Sequence, residues 1–454
     1  MTEQDATPAR LYAASTPDAA VCEAFTDGAF TVAVYGLGKM GLPLATVFGA
    51  VSGDVVGVDV DPGVVATVNA GGCPVTGEPG LDEQLAEQVD RDRLRATTDG
   101  TAAAEAARLH VVIVPTLVDD GQPDLSAVDA AVSTVADGLD PGDMVVVEST
   151  VPPRTCRDRL LPRLERESGH SLGEFGLAFR PERTMSGRAL ADIRGTHPKV
   201  VGGAGEESRR TARLVYSEVT TADVLPVEDA TTAECVKVFE GLYRDVNIAL
   251  ANELATLQED LGVDVTAAIE TANTQPYCDI HDPGPGVGGH CIPYYPYFVT
   301  SQFETATPLL ETARSVNDAM PAFTVDRVEN CLVATGRSLA DSTALVLGLT
   351  YRPGVDETRA SPGVEVARRL GASAAETYAY DPVCTDPPPA GVRPLSLDEV
   401  TDPDVDAVVL TTPHEAFREV DWDAFGDAVV VDCHRMLDGD ALEQRYYAIG
   451  RGEA

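Results

Sequence analysis

Lysine is almost missing from this 454-residue chain: Lys39, Lys199 and Lys237 are the only three, against 30 arginines, and 73 acidic residues bring the formal net charge to −40. A surface that tracks nucleic-acid phosphates needs clustered Lys and Arg, and no such cluster occurs. This excludes nucleic acid as a partner and, by the same electrostatics, docking on an anionic membrane. Long apolar runs are also lacking. Stretches such as His110–Pro115 and Val145–Val147 are strand-length, and residues 1–28 are polar and acidic. Neither a membrane span nor an export signal is therefore expected, and the predicted location is the cytoplasm. The nine cysteines, at positions 22, 73, 156, 235, 278, 291, 331, 384 and 433, form no C-x-x-C pair. A disulfide framework and a thiolate zinc site are thereby excluded, and no metal is expected.

What is present is acid, spread through every segment rather than collected in a tail. Self-repulsion of this size weakens a compact state at ordinary ionic strength and is screened at about 1 M salt, where the Debye length is roughly 3 Å. The composition predicts a halophilic protein, and its length suggests about three domains.

After an N-terminal tail (1–28), Thr31–Tyr35 reads as a strand that runs into Gly36-Leu37-Gly38-Lys39-Met40-Gly41 and a helical stretch over 42–51. Further strands are predicted at Val55–Asp59, His110–Pro115, Asp143–Glu148 and Phe175–Phe179, with Ala-rich helical stretches between them. Strands alternating with helices imply a parallel, doubly wound sheet. At Thr231–Glu234 a capping-box pattern opens a helical run that continues to Gly262, roughly 45 Å at 1.5 Å per residue. A helix of that length is expected to join domains and to carry a homodimer interface. Beyond residue 325 the first pattern is echoed by Thr343–Gly348, Glu376–Asp381, Ala407–Leu410 and Val429–Asp432. The expected fold is α/β, with two Rossmann-like doubly wound domains (29–220 and 326–454) joined by a central helical domain (221–325).

The glycine segment follows a strand, opens a helix and is followed by Asp59 at the end of the next strand, as a dinucleotide site requires. Gly36 permits the turn, Gly38 the approach of a pyrophosphate and Gly41 close helix packing. Asp59 accepts ribose hydroxyls and so favours NAD. Pro115-Thr116 and Ser149-Thr150 fall at strand ends, where a doubly wound sheet meets its ligand. Cys291 ends the segment Asp282–Cys291, whose Gly and Pro content suits a loop shaped around a ligand. In a dehydrogenase such a thiol can capture an aldehyde as a thiohemiacetal that is then oxidised to a thioester. His290 offers a polarising imidazole beside it. Lys237, in a chain nearly stripped of lysine, is a candidate base or oxyanion stabiliser, and helical spacing puts Gly241, Arg244 and Asn247 on its stripe.

With GLGKMGLPLA, GVDVDP, EPGLDE, ESTVPPRT, RPERTMSG, AECVK, VNIALANELA, GPGVGGHCIPYYPYF, ARSVNDAMP and VLGLTYRPGVDETRASP in this order, the sequence resembles the UDP-glucose/GDP-mannose dehydrogenase family from about residue 30 onward. It looks most like the branch that oxidises UDP-N-acetylhexosamines. The resemblance implies four-electron oxidation of a sugar C6 alcohol to a carboxylate, using two NAD and no metal. It implies Cys291 as nucleophile, Lys237 as the group assisting the first oxidation and stabilising the oxyanion, Glu182 as general base for the hydrolytic water, and Thr150 as the residue ordering that water. Arg352 is implied at the UDP diphosphate and Arg359 at the cofactor. Pro115, Thr116 and Ser149 complete the expected cofactor contacts, and Arg183, Arg244, Asn247, Gly288 and His290 the expected substrate contacts. Arg352 stands where the family commonly has Lys. Gly241 and Tyr295 stand where it commonly has Asn and Asp, and Ser186 replaces a second family carboxylate. The expected substrate is UDP-N-acetyl-D-mannosamine, with UDP-N-acetylglucosamine and UDP-glucose as competitors. A non-catalytic nucleotide-sugar-binding protein is the alternative of another class.

Overall fold

The computed structural model of the chain describes residues 10–453. They form two compact units: one runs to Phe239 and includes Tyr297–Gln302, and the other comprises Glu240–Pro296 and Phe303 onward.

The first unit is built on an eight-stranded sheet, in the order Val224–Pro226, Lys199–Gly203, Gly176–Phe179, Met144–Val147, Leu109–Val112, Val32–Tyr35, Val55–Val58, Leu94–Thr97. Its central strands are short apolar runs buried at all four positions, as covering both sheet faces requires. Val32 and Val34 point into one hydrophobic layer and Ala33 and Tyr35 into the other. All neighbours are parallel except Gly176–Phe179 with Lys199–Gly203, a departure from the purely parallel expectation. Strand Val32–Tyr35 lies between Val55–Val58 and Leu109–Val112, so chain order reverses at its carboxyl end. That is where such a sheet opens a crevice for a ligand.

The expected tail is corrected where it is described. Asp18–Thr26 is a helix that buries Val21, Ala24 and Phe25, and Leu11 and Tyr12 join the same core. Residues 1–9 of that tail lie outside the described residues.

The second unit carries a seven-stranded sheet, ordered Arg393–Pro394, Glu376–Tyr380, Thr343–Leu347, Ala407–Leu410, Val429–Asp432, Arg445–Ala448, Gly452–Glu453, and antiparallel only at the last pair. Helices Pro308–Ala334 and Pro362–Ser373 cover one face of it.

The long helix spans Ala230–Thr256 and stops short of the expected Gly262; Gln258–Leu261 is a separate turn closed by Gly262 in the left-handed region. Its cap is also not the expected one. Asp229 Oδ1 accepts from Thr232 N at 2.7 Å, while Glu234, the supposed capping-box acid, is buried and accepts from Arg154 N and Cys156 N at 2.5 and 2.7 Å. Among the described residues no helix is long and apolar enough to cross a membrane.

Candidate active site

In the first unit the three glycines of the fingerprint have three different physical reasons. Gly36 is at φ +99°, and a Cβ there would lie 2.5 Å from Ile113 O. On Gly41 a Cβ would lie 1.9 Å from Gly36 O, so only glycine lets the helix Gly41–Ser52 start against the strand end. Around Gly38 nothing lies within 4 Å of a Cβ. That open position at a helix start suits an approaching pyrophosphate. Asp59 Oδ2 accepts from Leu37 N and Oδ1 from Asp61 N, both at 2.9 Å, and the carboxylate stays partly exposed. The crevice therefore fits a dinucleotide: bare backbone for phosphates and an acid for ribose hydroxyls. Lys39 and Pro115 are exposed, and Met40 and Thr116 half-buried, along it. Ser149 is committed to the protein: its Oγ accepts from Val114 N and donates to Val114 O, both at 2.8 Å. It thereby fixes the backbone that leads to Pro115 and Thr116 rather than offering its hydroxyl outward.

Two adjacent strand ends carry Thr150 and Glu182, and a buried pair that sequence reading missed sets their level. Strands Met144–Val147 and Gly176–Phe179 are in register, Val147 opposite Phe179. Glu148 and Arg180 follow directly and pair at 2.5 Å, with Tyr216 donating its hydroxyl to Glu148. All three side chains are buried, so the attraction is little screened and the strand ends are locked together. Two residues on, Glu182 meets Lys237: Nζ donates to the Glu182 carbonyl and stands 3.7 Å from Oε2. The expected base and the expected cation are thus brought together. Arg183 donates to Pro198 O at 3.1 Å. Lys199 is buried and donates to the Asp192 carbonyl. Burial, with Arg180 nearby, pushes its pKa down to about 8. It braces the sheet beside the 182–183 segment.

In the second unit the segment entering the glycine-rich loop is pinned by a buried polar chain. Gly284 N donates to Asn252, Asn252 to Asn317, Asn317 to Asp245, and Arg314 pairs with Asp245 at 2.5 Å. Burial pushes the Asp245 pKa up, against the pull of Arg314. Asn247 likewise spends its carboxamide on the protein, donating to Asp279 O at 2.6 Å and accepting from His281 N at 2.8 Å. It shapes the loop's approach, whereas Arg244 is exposed.

Gly288 and Gly289 then pass over Tyr351, leaving no room for a Cβ: it would lie 2.8 Å from Tyr351 atoms at either position. Gly289 N donates to Arg359 O at 2.9 Å, His290 pairs with Glu357, and Arg359 Nε lies 3.7 Å from the same carboxylate. The Arg352 guanidinium lies 5.8 Å from the centre of the Tyr351 ring. Cys291 emerges from this anchorage as the one exposed cysteine; the other eight are buried or half-buried. Burial pushes the Cys22, Cys73 and Cys384 thiols up to about 11, and Cys156 and Cys433 well above the ordinary value, which disfavours their thiolates.

Residues 30–220, 231–319 and 345–439 match, respectively, the NAD binding, central and UDP binding domains of the UDP-glucose/GDP-mannose dehydrogenase family. The chain belongs to that family. It is an NAD-dependent UDP-sugar dehydrogenase. Similar proteins include a UDP-N-acetyl-D-mannosamine dehydrogenase of Pyrococcus horikoshii, 35% identical over 93% of this chain and 99% of its own. An NDP-N-acetyl-D-galactosaminuronic acid dehydrogenase of Ralstonia solanacearum is also 35% identical, over 91% and 97%. A solved UDP-D-ManNAc dehydrogenase structure from Pyrococcus horikoshii superposes with a TM-score of 0.86 at 34% identity, covering 93% of this chain and all of that one.

Proposed function

We propose that the enzyme oxidises the C6 hydroxyl of UDP-N-acetyl-D-mannosamine to the uronate in a four-electron reaction, supplying a surface polysaccharide or glycoprotein glycan. The observation that carries this reading is the exposed Cys291 thiol on a loop anchored from both ends, because two-electron oxidation has no use for it. The names of similar proteins support the acetamido sugar. Bound NAD would supply the hydride acceptor that each of the two oxidations needs. Lys237 assists loss of the C6 hydroxyl proton and stabilises the oxyanion. The Cys291 thiolate adds to the aldehyde carbon, and oxidation of the resulting thiohemiacetal leaves a thioester. Glu182 takes a proton from the water that attacks the thioester, Thr150 orders that water, and the thiolate departs. Arg352 offers a planar fork to the diphosphate, and Arg359 reaches the cofactor.

Cys291→Ser should lower turnover by at least about 10³-fold, the scale seen when a nucleophile is removed. The native enzyme should release two NADH per sugar; one would overturn the thioester route. A panel of UDP-sugars, assayed in roughly 2–4 M KCl where screening is short-ranged, should favour UDP-N-acetyl-D-mannosamine. Faster turnover of UDP-glucose would refute that substrate. The high salt belongs to the halophilic reading that the acidic, lysine-poor composition supports.

The expected homodimer finds support along the long helix and just past its end, where Tyr243, Leu250 and Leu257 are exposed at seven-residue intervals, a stripe that a second copy would cover. Leu250→Arg should shift the mass measured by light scattering from dimer to monomer; an unchanged mass would refute this interface.

A further inference from the structure

Gly241 lies inside a helix, where glycine costs roughly 1 kcal/mol relative to alanine, and so requires a reason. The reason is Tyr295. A Cβ on residue 241 would lie 2.1 Å from Cδ2 of the Tyr295 ring, 3.0 Å from its Cγ and 3.1 Å from its Cβ. Backbone and a buried ring cannot both yield at such a distance, so the ring seats directly on the helix backbone. Tyr295 is buried, 7% exposed. Its own N–H donates to the carbonyl of Cys291 at 3.0 Å, beside that of Tyr294 at 3.1 Å. The turn that begins at Cys291 therefore ends on a ring fixed to the helix.

We propose that Gly241 and Tyr295 are one steric unit, in which the Tyr295 ring seated on Gly241 is the positioning element for the Cys291 turn. This rests on Cys291 being the nucleophile. Upstream, Gly289 and His290 hold the turn through Arg359 O and Glu357. Downstream, the ring is the hold. The two departures from the family's residues are then a single exchange: with Tyr at 295 no side chain fits at 241, and with Asn at 241 the ring has no seat.

The test is a double-mutant cycle on the full chain in molar KCl with NAD present, read in two ways. One is the rate of Cys291 alkylation by iodoacetamide, resolved by peptide mass spectrometry; the other is kcat separated from KM for the UDP-sugar. Gly241→Ala should change the alkylation rate and lower kcat by about 10- to 100-fold, as displacement of a reacting group by about 1 Å does, with KM little changed. In a Tyr295→Ala background the same Gly241→Ala change should have almost no further effect, and that double variant, free of the collision, should fold. Tyr295→Phe keeps the ring on the helix backbone, so in that background Gly241→Ala should still show its full effect on both readouts. Equal effects of Gly241→Ala in the native and Tyr295→Ala backgrounds would overturn the proposal, as would the absence of a Gly241→Ala effect in the Tyr295→Phe background. Should Cys291→Ala still release two NADH per sugar at the native rate, the nucleophile reading fails, while the alkylation cycle still decides whether the ring positions the turn.

Discussion

The two units begin alike and then use the same device for opposite ends. Each has a central strand ending in a left-handed glycine, Gly36 at φ +99° and Gly348 at +105°. Each closes on a second glycine that no Cβ could replace: Gly41 would meet Gly36 O at 1.9 Å, and Gly363 would meet Gly348 O at 2.4 Å. In the first unit the two are five residues apart, and the turn between them stays open around Gly38. In the second they are fifteen apart, and the added chain carries Tyr351, Glu357 and Arg359, which contact Gly288, Gly289 and His290 just ahead of Cys291. The acids differ in the same sense. Asp59 makes two backbone hydrogen bonds and keeps an exposed edge. Asp381, at the equivalent strand end, is enclosed, with Leu349, Thr350, Val383, Cys384 and His414 all donating to it. One copy of the motif is left open for a ligand, and the other is filled by the protein itself.

The largest effect should come from exchanging the acids. Asp381→Ala leaves several buried donors unpaired and should destabilise the enzyme by about 3–5 kcal/mol, with NAD affinity of the folded protein unchanged. Asp59→Ala should do the reverse, raising the NAD Kd about 10- to 100-fold for a stability loss of about 1 kcal/mol. Denaturant midpoints and NAD titrations on both variants check this; a matching pattern in the two would erase the distinction. Burial alone would raise the Asp381 pKa, but His414 and the Thr350, Val383 and Leu349 N–H groups overcome it and hold it well below the usual carboxylate range. Its stabilisation is therefore present above about pH 3.9 and lost only as pH falls through the depressed value.

What could be read in sequence was local. Gly36, Gly38, Gly41 and Asp59 sit within one strand–helix–strand stretch, and structure gives each glycine its expected geometry. The exposed Cys291 was legible from its glycine-rich surroundings, and both Rossmann-like sheets from their short apolar runs. The misses are long-range or ambiguous. Nothing near Glu148 announces Arg180 and Tyr216, because their pairing exists only once strands and a distant helix come together. Thr231–Glu234 has the pattern of a capping box, and only the folded chain shows Asp229 taking the cap and Glu234 drawn to the backbone at Arg154 and Cys156. The place of Asn247 on a polar helix stripe likewise does not reveal that a neighbouring loop takes its carboxamide. The helix Asp18–Thr26 did have a signal, Val21, Ala24 and Phe25 at helical spacing, but the acidic residues around it masked that short pattern.

Glu234 sharpens the contrast from the other side, as a buried acid in the first unit whose shift runs opposite to that of Asp381. Burial pushes its pKa up to about 7, only partly offset by hydrogen bonds from Cys156 and Arg154. A raised carboxyl pKa means that the folded state holds the proton more tightly. The resulting stability is complete below about pH 4.3 and is lost as pH rises toward 7, on the order of 3 kcal/mol at 1.36 kcal/mol per unit. Urea midpoints of the native enzyme at constant molar salt should contain this descending component between pH 5 and 7. Glu234→Gln, neutral throughout, should flatten it. Parallel profiles for the two proteins would show that another group titrates.

The smallest expected effect separates the two glycine turns most cleanly. Gly38 is not in the left-handed region and has nothing within 4 Å of a Cβ, so Gly38→Ala costs no packing. Its methyl points into the space left for the dinucleotide, and the NAD Kd should rise about tenfold, or 1.4 kcal/mol, with the denaturant midpoint unchanged. Gly363→Ala instead forces a methyl against Gly348 O and should cost about 1–3 kcal/mol of stability, with NAD affinity preserved. A midpoint shift in Gly38→Ala, or weakened NAD binding in folded Gly363→Ala, would mean that the first turn is not open or that the second is not merely filled. If both hold, the same strand–glycine–helix start has been turned into a binding site where five residues close it and into a support for the thiol loop where fifteen do.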